Sequence, residues 1–569
     1  MHPKGKVLAG SLGDCVHVAG VTRFLAVAED AGYEAHFTGP ATDLETFLDA
    51  IVAYDPDVIG VSYRLTPENA RILLRELRSM LETAGVLGRK RLFFGGTPPV
   101  AAIAREMGYF DAVFSGDEPP HRVRQILEGR PVEARGPEAF PQQTVERIRW
   151  KAPYPLLRHH FGIPAPTIEP TVAGIAQIAE SGVLDVISLG ADQDAQENFF
   201  HPSRQDPRSK GAGGVPFRSE DDLRRLYEAS RRGNYPLLRS YSGTADHLRY
   251  ADLLVRTIHN AWCATSLFWF NAMDGRGPSP LAQSIREHQA LMAWHGERDI
   301  PVEGNESYHW GMRDAPDVVV CASAYLYAYN ARRFGVRDYI LTYMFQSPPQ
   351  LSNAMDLARA LAILELSERF ASDTFRIWRQ TRTGLLSYPV DPRRARAHLA
   401  QSIMLQMALR PHIVHIVGHT EADHAATADE VIESAVMVQE VIETALRGNP
   451  DMTADPAVQR RKEDLIAETE RLIDAIRALG SDSDDPLTDP DVLARAVAVG
   501  LLDAPQLVNN PYAPGRVRTR SIGGAMWAVD RAGHPLTEEQ RLLSLEFSVG
   551  SPESGDEVSP TSSAPDSKL

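Results

Sequence analysis

A short loop near the amino terminus, Gly10-Ser-Leu-Gly-Asp-Cys-Val-His-Val-Ala-Gly20, contains a residue suited to ligating a metal. His17 offers an imidazole that is neutral and basic near pH 7, and a carboxylate behind such a ring fixes its tautomer. Asp14 precedes His17 by three residues and Cys15 by two. A lone loop histidine is more often just a solvated side chain, so the chemistry depends on what surrounds it. Small residues follow several apolar runs downstream: Ser62 after Val58–Val61, Gly95 and Gly96 after Arg91–Phe94, and Ser115 and Gly116 after Ala112–Phe114. Each could be a plain tight turn, but paired glycines also let backbone approach a bulky ligand. Farther on, Arg239 supplies a guanidinium, which pairs bidentately with carboxylates.

These positions need a scaffold, and the first 130 residues supply its pattern. Apolar runs at Lys6–Ala9, Val58–Val61, Arg91–Phe94 and Ala112–Phe114 alternate with helical patterns at Val21–Ala31, Leu44–Ala53, Glu68–Ala84 and Pro98–Met107. Such alternation predicts a Rossmann-like, doubly wound parallel sheet whose ligand sits beyond the carboxyl ends of the strands. Residues 131–165 are rich in Pro, Arg and Glu and read as a linker. Eight apolar runs follow: Thr167–Val172, Val183–Leu189, Pro236–Tyr241, Ser266–Ala272, Ile300–Glu303, Tyr339–Phe345, Thr374–Gln380 and His412–Val417. Their number and spacing predict a (β/α)8 TIM barrel over 166–450, with an open α/β sheet as the alternative. Thr427–Leu446 and Pro456–Leu479 read as long helices. A C-terminal extension spans 451–545, and the tail, 546–569, is expected to be disordered.

At 569 residues the chain exceeds one ordinary domain, and 43% hydrophobic with 24% charged residues is a globular balance. A net charge of -16 argues against a nucleic-acid or anionic-membrane surface and leaves a small molecule as the expected partner. Cys15, Cys263 and Cys321 lie too far apart for a zinc knuckle or an iron–sulfur cluster. Their scarcity fits a reducing compartment. With no signal peptide or bilayer-length apolar run, the expected location is the cytoplasm.

The loop around His17 resembles the cobalamin-binding signature Asp-x-His-x-x-Gly. His17 and Gly20 match its spacing, Cys15 occupies the acid's position, and Asp14 is displaced by one residue. Ser62 matches the serine that lies near the nucleotide tail in that family. The resemblance implies that His17 ligates the cobalt of a cobalamin, with Asp14, Gly20, Ser62, Gly95, Gly96, Ser115 and Gly116 around the cofactor. From about residue 165 to 540 the chain resembles the catalytic subunit of glutamate mutase (methylaspartate mutase). The matching pieces are Leu238–Asp246, Val302–Tyr308, Ile413–Ala422 and Gly500–Pro505. The family's two chains would here be fused, cobalamin domain first. What this implies is adenosylcobalamin (vitamin B12) held between the Rossmann-like domain and the barrel mouth, cobalt–carbon homolysis, a radical isomerisation, and a homodimer.

The departures bear on substrate. Arg239 falls at one of three positions where the family holds carboxylates with arginine, while the other two are Gln196 and Asn305. Tyr327 stands where the family has an amine-recognising glutamate. Glu421 matches an acid at the adenosyl ribose, but a nearby lysine is replaced by Val417. The expected reaction is therefore a carbon-skeleton mutation of a small acid or amino-acid-like substrate other than glutamate, with Arg239, Tyr327, Asn305 and Gln196 contacting it. One carboxylate, or aromatic or amide character, would suit Tyr308, Trp310, Tyr325, Tyr327 and Tyr329, although Tyr325 and Tyr329 could simply pack at i, i+4. His309 and His419 are site acids or polar loop residues, and Arg313 is a replacement clamp or a solvated helix-start residue. Two other readings remain. A corrinoid methyltransferase would place a helical cap before the motif, which a motif starting at residue 10 leaves no room for. A non-catalytic or degenerate cobalamin-binding protein would fit the displaced Asp14 and Val417.

Overall fold

The computed structural model describes residues 3–116, 118, 120–127 and 136–549. They form two compact units, one ending at Arg135 and the other starting at Gly136. The expected disordered tail lies outside the described residues from 550 onward, as do residues 131–135 of the expected linker. The last helix, Glu538–Val549, continues into the segment expected to be tail.

The first unit is built on five parallel strands: β1 (Lys6–Ser11), β2 (Glu34–Phe37), β3 (Val58–Ser62), β4 (Arg91–Gly95) and β5 (Ala112–Phe114). Their order is β2-β1-β3-β4-β5, so the winding reverses between β1 and β3 and opens a crevice at their carboxyl ends. β1 and β3 are buried along nearly their whole length, as strands covered on both faces must be. β2 escapes the sequence pattern because it is a four-residue edge strand with exposed and half-buried residues alternating. Asp43 and Thr66 cap the helices Leu44–Tyr54 and Pro67–Thr83 by accepting from Thr46 N and Asn69 N.

The second unit is a nearly closed barrel of eight parallel strands: β6 (Leu156–Phe161), β7 (Val186–Leu189), β8 (Leu237–Arg239), β9 (Cys263–Thr265), β10 (Val302–Gly304), β11 (Asp338–Phe345), β12 (Arg376–Thr383) and β13 (Ile413–Ile416). Between β8 and β9 the ladder is interrupted. Ala261 N donates to Leu238 O (2.9 Å), and the Asn260 side-chain oxygen accepts from Ser240 N (2.8 Å) across the gap.

Two of the expected strands are displaced. Thr167–Val172, β-branched in part, leads into the helix Glu169–Ser181, which has Pro170 in its first turn. The first strand is instead Leu156–Phe161, inside the expected linker, where Arg158 and His160 point inward and break the apolar pattern. The apolar run Ser266–Ala272 is a buried loop whose Phe268 and Trp269 rings pack on Trp310, and the strand ends just before it. The helix Thr144–Lys151, also from the expected linker, closes the barrel's amino-terminal end. Its Ile148 joins Leu156, Val186, Leu237, Ile340 and Ile413 in an apolar plug, and buried Arg147 donates to Asn234 O and Tyr235 O.

Helices Ala428–Arg447 and Pro456–Leu479 stand where their sequence periodicity places them. The extension is tied to the barrel through Asp317, fully buried, which receives Arg359, Arg461 and Met526 N. Among the described residues no helix is long and apolar enough to cross a membrane.

Candidate functional site

Two sites carry the expected residues, one in each unit. In the first unit, the loop after β1 begins in a left-handed turn at Gly13 (φ 62°) and is pinned by Leu12 N donating to Ser62 O (3.0 Å). Ser11 Oγ donates to Cys15 O (2.8 Å). The His17 side chain is exposed, and its Nδ1 lies 3.8 Å from the buried Cys15 Sγ. Asp14 instead accepts from the Tyr63 hydroxyl (3.1 Å). The group behind the imidazole is thus the cysteine in the signature's acid position, and the displaced acid is bound elsewhere.

Beside this loop a cavity of about 330 Å³ runs between the helix Ala19–Asp30 and the sheet, with Ser62, Gly95 and Gly96 among its walls. Side-chain space decides which glycines matter. A Cβ on Gly60 would strike Ala9 Cβ at 2.8 Å and Phe24 at 2.9 Å, and one on Gly96 would strike Tyr63 O at 2.7 Å. A Cβ on Gly20, Gly95 or Gly116 would meet nothing within 4 Å, so these three border open space. Ser115 N and Gly116 N are both taken by the Glu118 carboxylate (2.9 Å each to their nearer oxygens). Burial raises that carboxyl's pKa, but these backbone bonds outweigh it and hold the group below its ordinary range. Arg23, Phe24 and Glu118 line the cavity and carry no motif of their own, so sequence reading passed over them. An exposed imidazole beside a cavity with three glycines open to it fits a cobalamin whose metal is held by His17.

In the second unit the inward residues form layers above the apolar plug. The middle layer centres on Glu303, which accepts from Arg158 Nη1 (2.9 Å), Trp262 Nε1 (2.6 Å) and Gln380 Nε2 (2.8 Å). Arg239 Nη2 lies 3.8 Å from it. Burial pushes the Glu303 carboxyl up, and Arg158 and Arg239 more than offset this, holding it at about 2. Arg239 is fully buried over the Tyr241 ring, yet its Nε and Nη2 have no hydrogen-bond partner.

The next layer toward the mouth is left unsatisfied. Asn305 is fully buried with neither amide atom bonded. His415 is buried with both ring nitrogens free, 4.7 Å from the His160 ring, and Arg382 Nε is likewise unpartnered. Burial, with Arg158 and Arg382 adding to it, drives the His160 and His415 pKa values well below their ordinary range, so both rings stay neutral. His309, buried against Trp269 and Phe270, behaves the same way and is no solvated loop residue.

The other expected contacts separate from this cluster. Tyr327 lies on the helix Asp317–Arg333, outside the barrel wall, stacked on Tyr339 with its hydroxyl donating to the Glu303 carbonyl (3.3 Å). It packs beneath Gly304, on the face opposite the Glu303 side chain, and cannot join Arg239 and Asn305 around a substrate. Gln196 sits in the short helix Gln193–Glu197 beyond β7 with its amide donating to Ala191 O (2.9 Å). Glu421, beyond β13, accepts from Gly418 N (2.7 Å) and lies 3.1 Å from His159 Nε2. Tyr325 and Tyr329 stack on each other and meet Phe370 edge to face, Arg313 lies over the Trp269 ring, and His419 is bonded to Ser434. Sequence reading did not single out Arg158, His160, Gln380, Arg382 or His415. A signal existed in the pairs Arg158/His160, Arg239/Tyr241, Glu303/Asn305 and Gln380/Arg382, polar residues two apart toward strand ends.

Residues 5–121 match the family model of the B12 binding domain, so the first unit carries a cobalamin-binding domain. A search of the curated proteins found no match. Among solved structures, a cobalamin-binding protein from Desulfitobacterium hafniense is 22% identical (TM-score 0.21), with 23% of this chain and 60% of that one covered. A rubisco-like protein from Burkholderia fungorum is 14% identical (TM-score 0.29), covering 57% of this chain and 70% of that one. Tryptophan synthase from M. tuberculosis is 14% identical (TM-score 0.29), covering 52% and 96%.

Proposed function

We propose that the chain, a cobalamin-binding domain followed by a TIM barrel, is an adenosylcobalamin-dependent radical isomerase. In this reading it is a carbon-skeleton mutase for a small acid other than glutamate. The observation that carries it is Arg239: in a barrel on the same chain as a B12 binding domain, this guanidinium is fully buried with two nitrogens unsatisfied. A buried polar group left so is costly unless a ligand completes it. Bound adenosylcobalamin would supply a carbon radical by cobalt–carbon homolysis, which no side chain here can provide. His17 would hold the cobalt, with Gly20, Ser62, Gly95 and Gly96 about the cofactor's tail. Arg239 would bind and orient the substrate's carboxylate. Asn305 would hold a second polar group, and the buried aromatic walls would keep water from a reactive centre.

One observation favours a second reading. Asp14 is held by Tyr63 and not by His17, which would also suit a non-catalytic cobalamin-binding protein.

The test is titration of the full chain with adenosylcobalamin in the dark, followed by its visible spectrum, alongside His17→Ala. The expected outcome is binding with the cofactor's own base displaced by histidine, a signature lost in the variant. Small acids screened on the loaded protein should then give a paramagnetic radical signal. Binding indifferent to His17 would remove the ligation. Binding with no radical signal from any acid would leave the non-catalytic reading.

A further inference from the structure

The charge balance of the barrel lumen carries a statement about the substrate itself. Three guanidinium groups from the barrel strands face this space: Arg158 and Arg239 in the middle layer, and Arg382 one step nearer the mouth on β12. Only Glu303 answers them, and it is occupied by Arg158, Trp262 and Gln380. Among the described residues no carboxylate lies within ion-pair distance of Arg382, whose guanidinium sits over the Tyr308 ring at 5.7 Å. The other nearby carboxylates are likewise engaged. Glu306 accepts from Ser266 Oγ, Leu267 N, Phe268 N and Trp310 Nε1. Asp274 is paired with Arg276, and Glu421 with Gly418 N and His159. His160, His309 and His415 are neutral, so they leave the excess positive charge of the lumen unchanged.

We infer that the lumen takes an acid with one carboxylate and no ammonium group, its carboxylate held by Arg382 together with Arg239 and its neutral oxygen read by Asn305. Arg239 shares Glu303 with Arg158 and keeps two unbonded nitrogens, and half-buried Arg382 has an unbonded Nε and no carboxylate partner, so an anion completes both. An ammonium group would enter a space with excess positive charge and no free carboxylate to receive it. Asn305, with both amide atoms unbonded in full burial, can donate to and accept from a hydroxyl or carbonyl. This narrows the small acid or amino-acid-like substrate of the proposed function to the hydroxy- or oxo-acid class. Its catalytic meaning rests on that reading, but the binding preference does not.

Three isosteric probes test it on the full chain: propionate, lactate and alanine, which differ only in H, OH or NH3+ on one carbon. Ligand-observed NMR at millimolar probe concentration reads binding, and the cobalamin spectrum is recorded on the same samples. Lactate should bind best, propionate next, and alanine at least about tenfold more weakly than lactate. Arg382→Gln should lose lactate binding on the order of a hundredfold, while Arg382→Lys, which keeps the charge, should retain part of it. Circular dichroism checks that both variants fold. If Arg382→Gln fails to fold, Arg382→Lys decides, since an unchanged lactate affinity there would remove the bidentate clamp. Alanine binding as well as lactate, undiminished lactate binding in folded Arg382→Gln, or no binding of either acid would each overturn the inference. Lactate preferred in a chain that does not take up cobalamin would leave the inference standing and defeat the proposed function.

Discussion

Glu303 is the residue whose removal is most informative about the lumen. Its carboxylate answers Arg158 directly and Arg239 at 3.8 Å, in full burial. Glu303→Gln keeps the shape but strands two guanidinium groups, and should destabilise the protein by about 3–5 kcal/mol, measured by urea unfolding at pH 7. The acid dependence has a definite sign. Its pKa is about 2 in the folded chain against an ordinary 4.5, so its contribution is fully present above 4.5 and is lost as pH falls toward 2. The gap between wild type and Glu303→Gln should therefore narrow over that window. A gap constant from pH 5 to pH 2.5 would show that the carboxylate is not held by the arginines. The same strand shows how one residue's neighbour can matter more than its type: Glu303 faces inward, whereas Gly304 faces out onto Tyr327.

At the scale of elements, the ends of β1, β3 and β4 decide whether the first unit can hold a cofactor. Gly95 ends β4 at the cavity, and a Cβ there meets nothing within 4 Å. Gly95→Leu should leave stability within about 1 kcal/mol of wild type by thermal unfolding. It should nevertheless abolish adenosylcobalamin uptake in the spectral titration, because the side chain fills the space the ligand needs. A variant that loses stability instead would mean the glycine serves packing, as Gly60 does beneath Ala9 and Phe24. The barrel strands teach a related lesson. β6 was obscured in the sequence by Arg158 and His160, inward residues kept polar in a lumen where packing alone would favour apolar side chains.

For the whole molecule, buried neutral histidines set the response to acid. Burial holds His160, His288, His309 and His415 well below the ordinary 6.5, and His295 and His412 at about 4. Below 6.5 the unfolded chain takes up protons at these sites and the folded chain does not. Stability should therefore fall as pH drops from 6.5 toward 4. Denaturant midpoints at pH 7.5, 6 and 5 should decline steeply through this range, and His288→Gln should flatten the slope by about one histidine's share. A flat profile would mean these rings are protonated in the folded state.

Much of this was legible in the sequence because it is local. The small residues after apolar runs marked the strand ends of the first unit, and the 3.6-residue periodicity of Pro456–Leu479 marked a helix that spans those same residues. The spacing of His17 and Gly20 pointed to the kind of domain that residues 5–121 match. Tertiary structure alone decided what depends on facing direction and on distance across the fold. Asp14 matches the signature's acid in type and Cys15 does not, yet Asp14 turns to Tyr63, a residue 49 positions away. Tyr327 was expected beside the substrate but lies behind the barrel wall, because a helix covers the outside of its strands. Arg382, with no motif around it, reaches the lumen because strands alternate and eight of them converge. Periodicity and motif spacing are properties of neighbours along the chain, whereas an unmet charge in a cavity is a property of residues that only the closed barrel brings together.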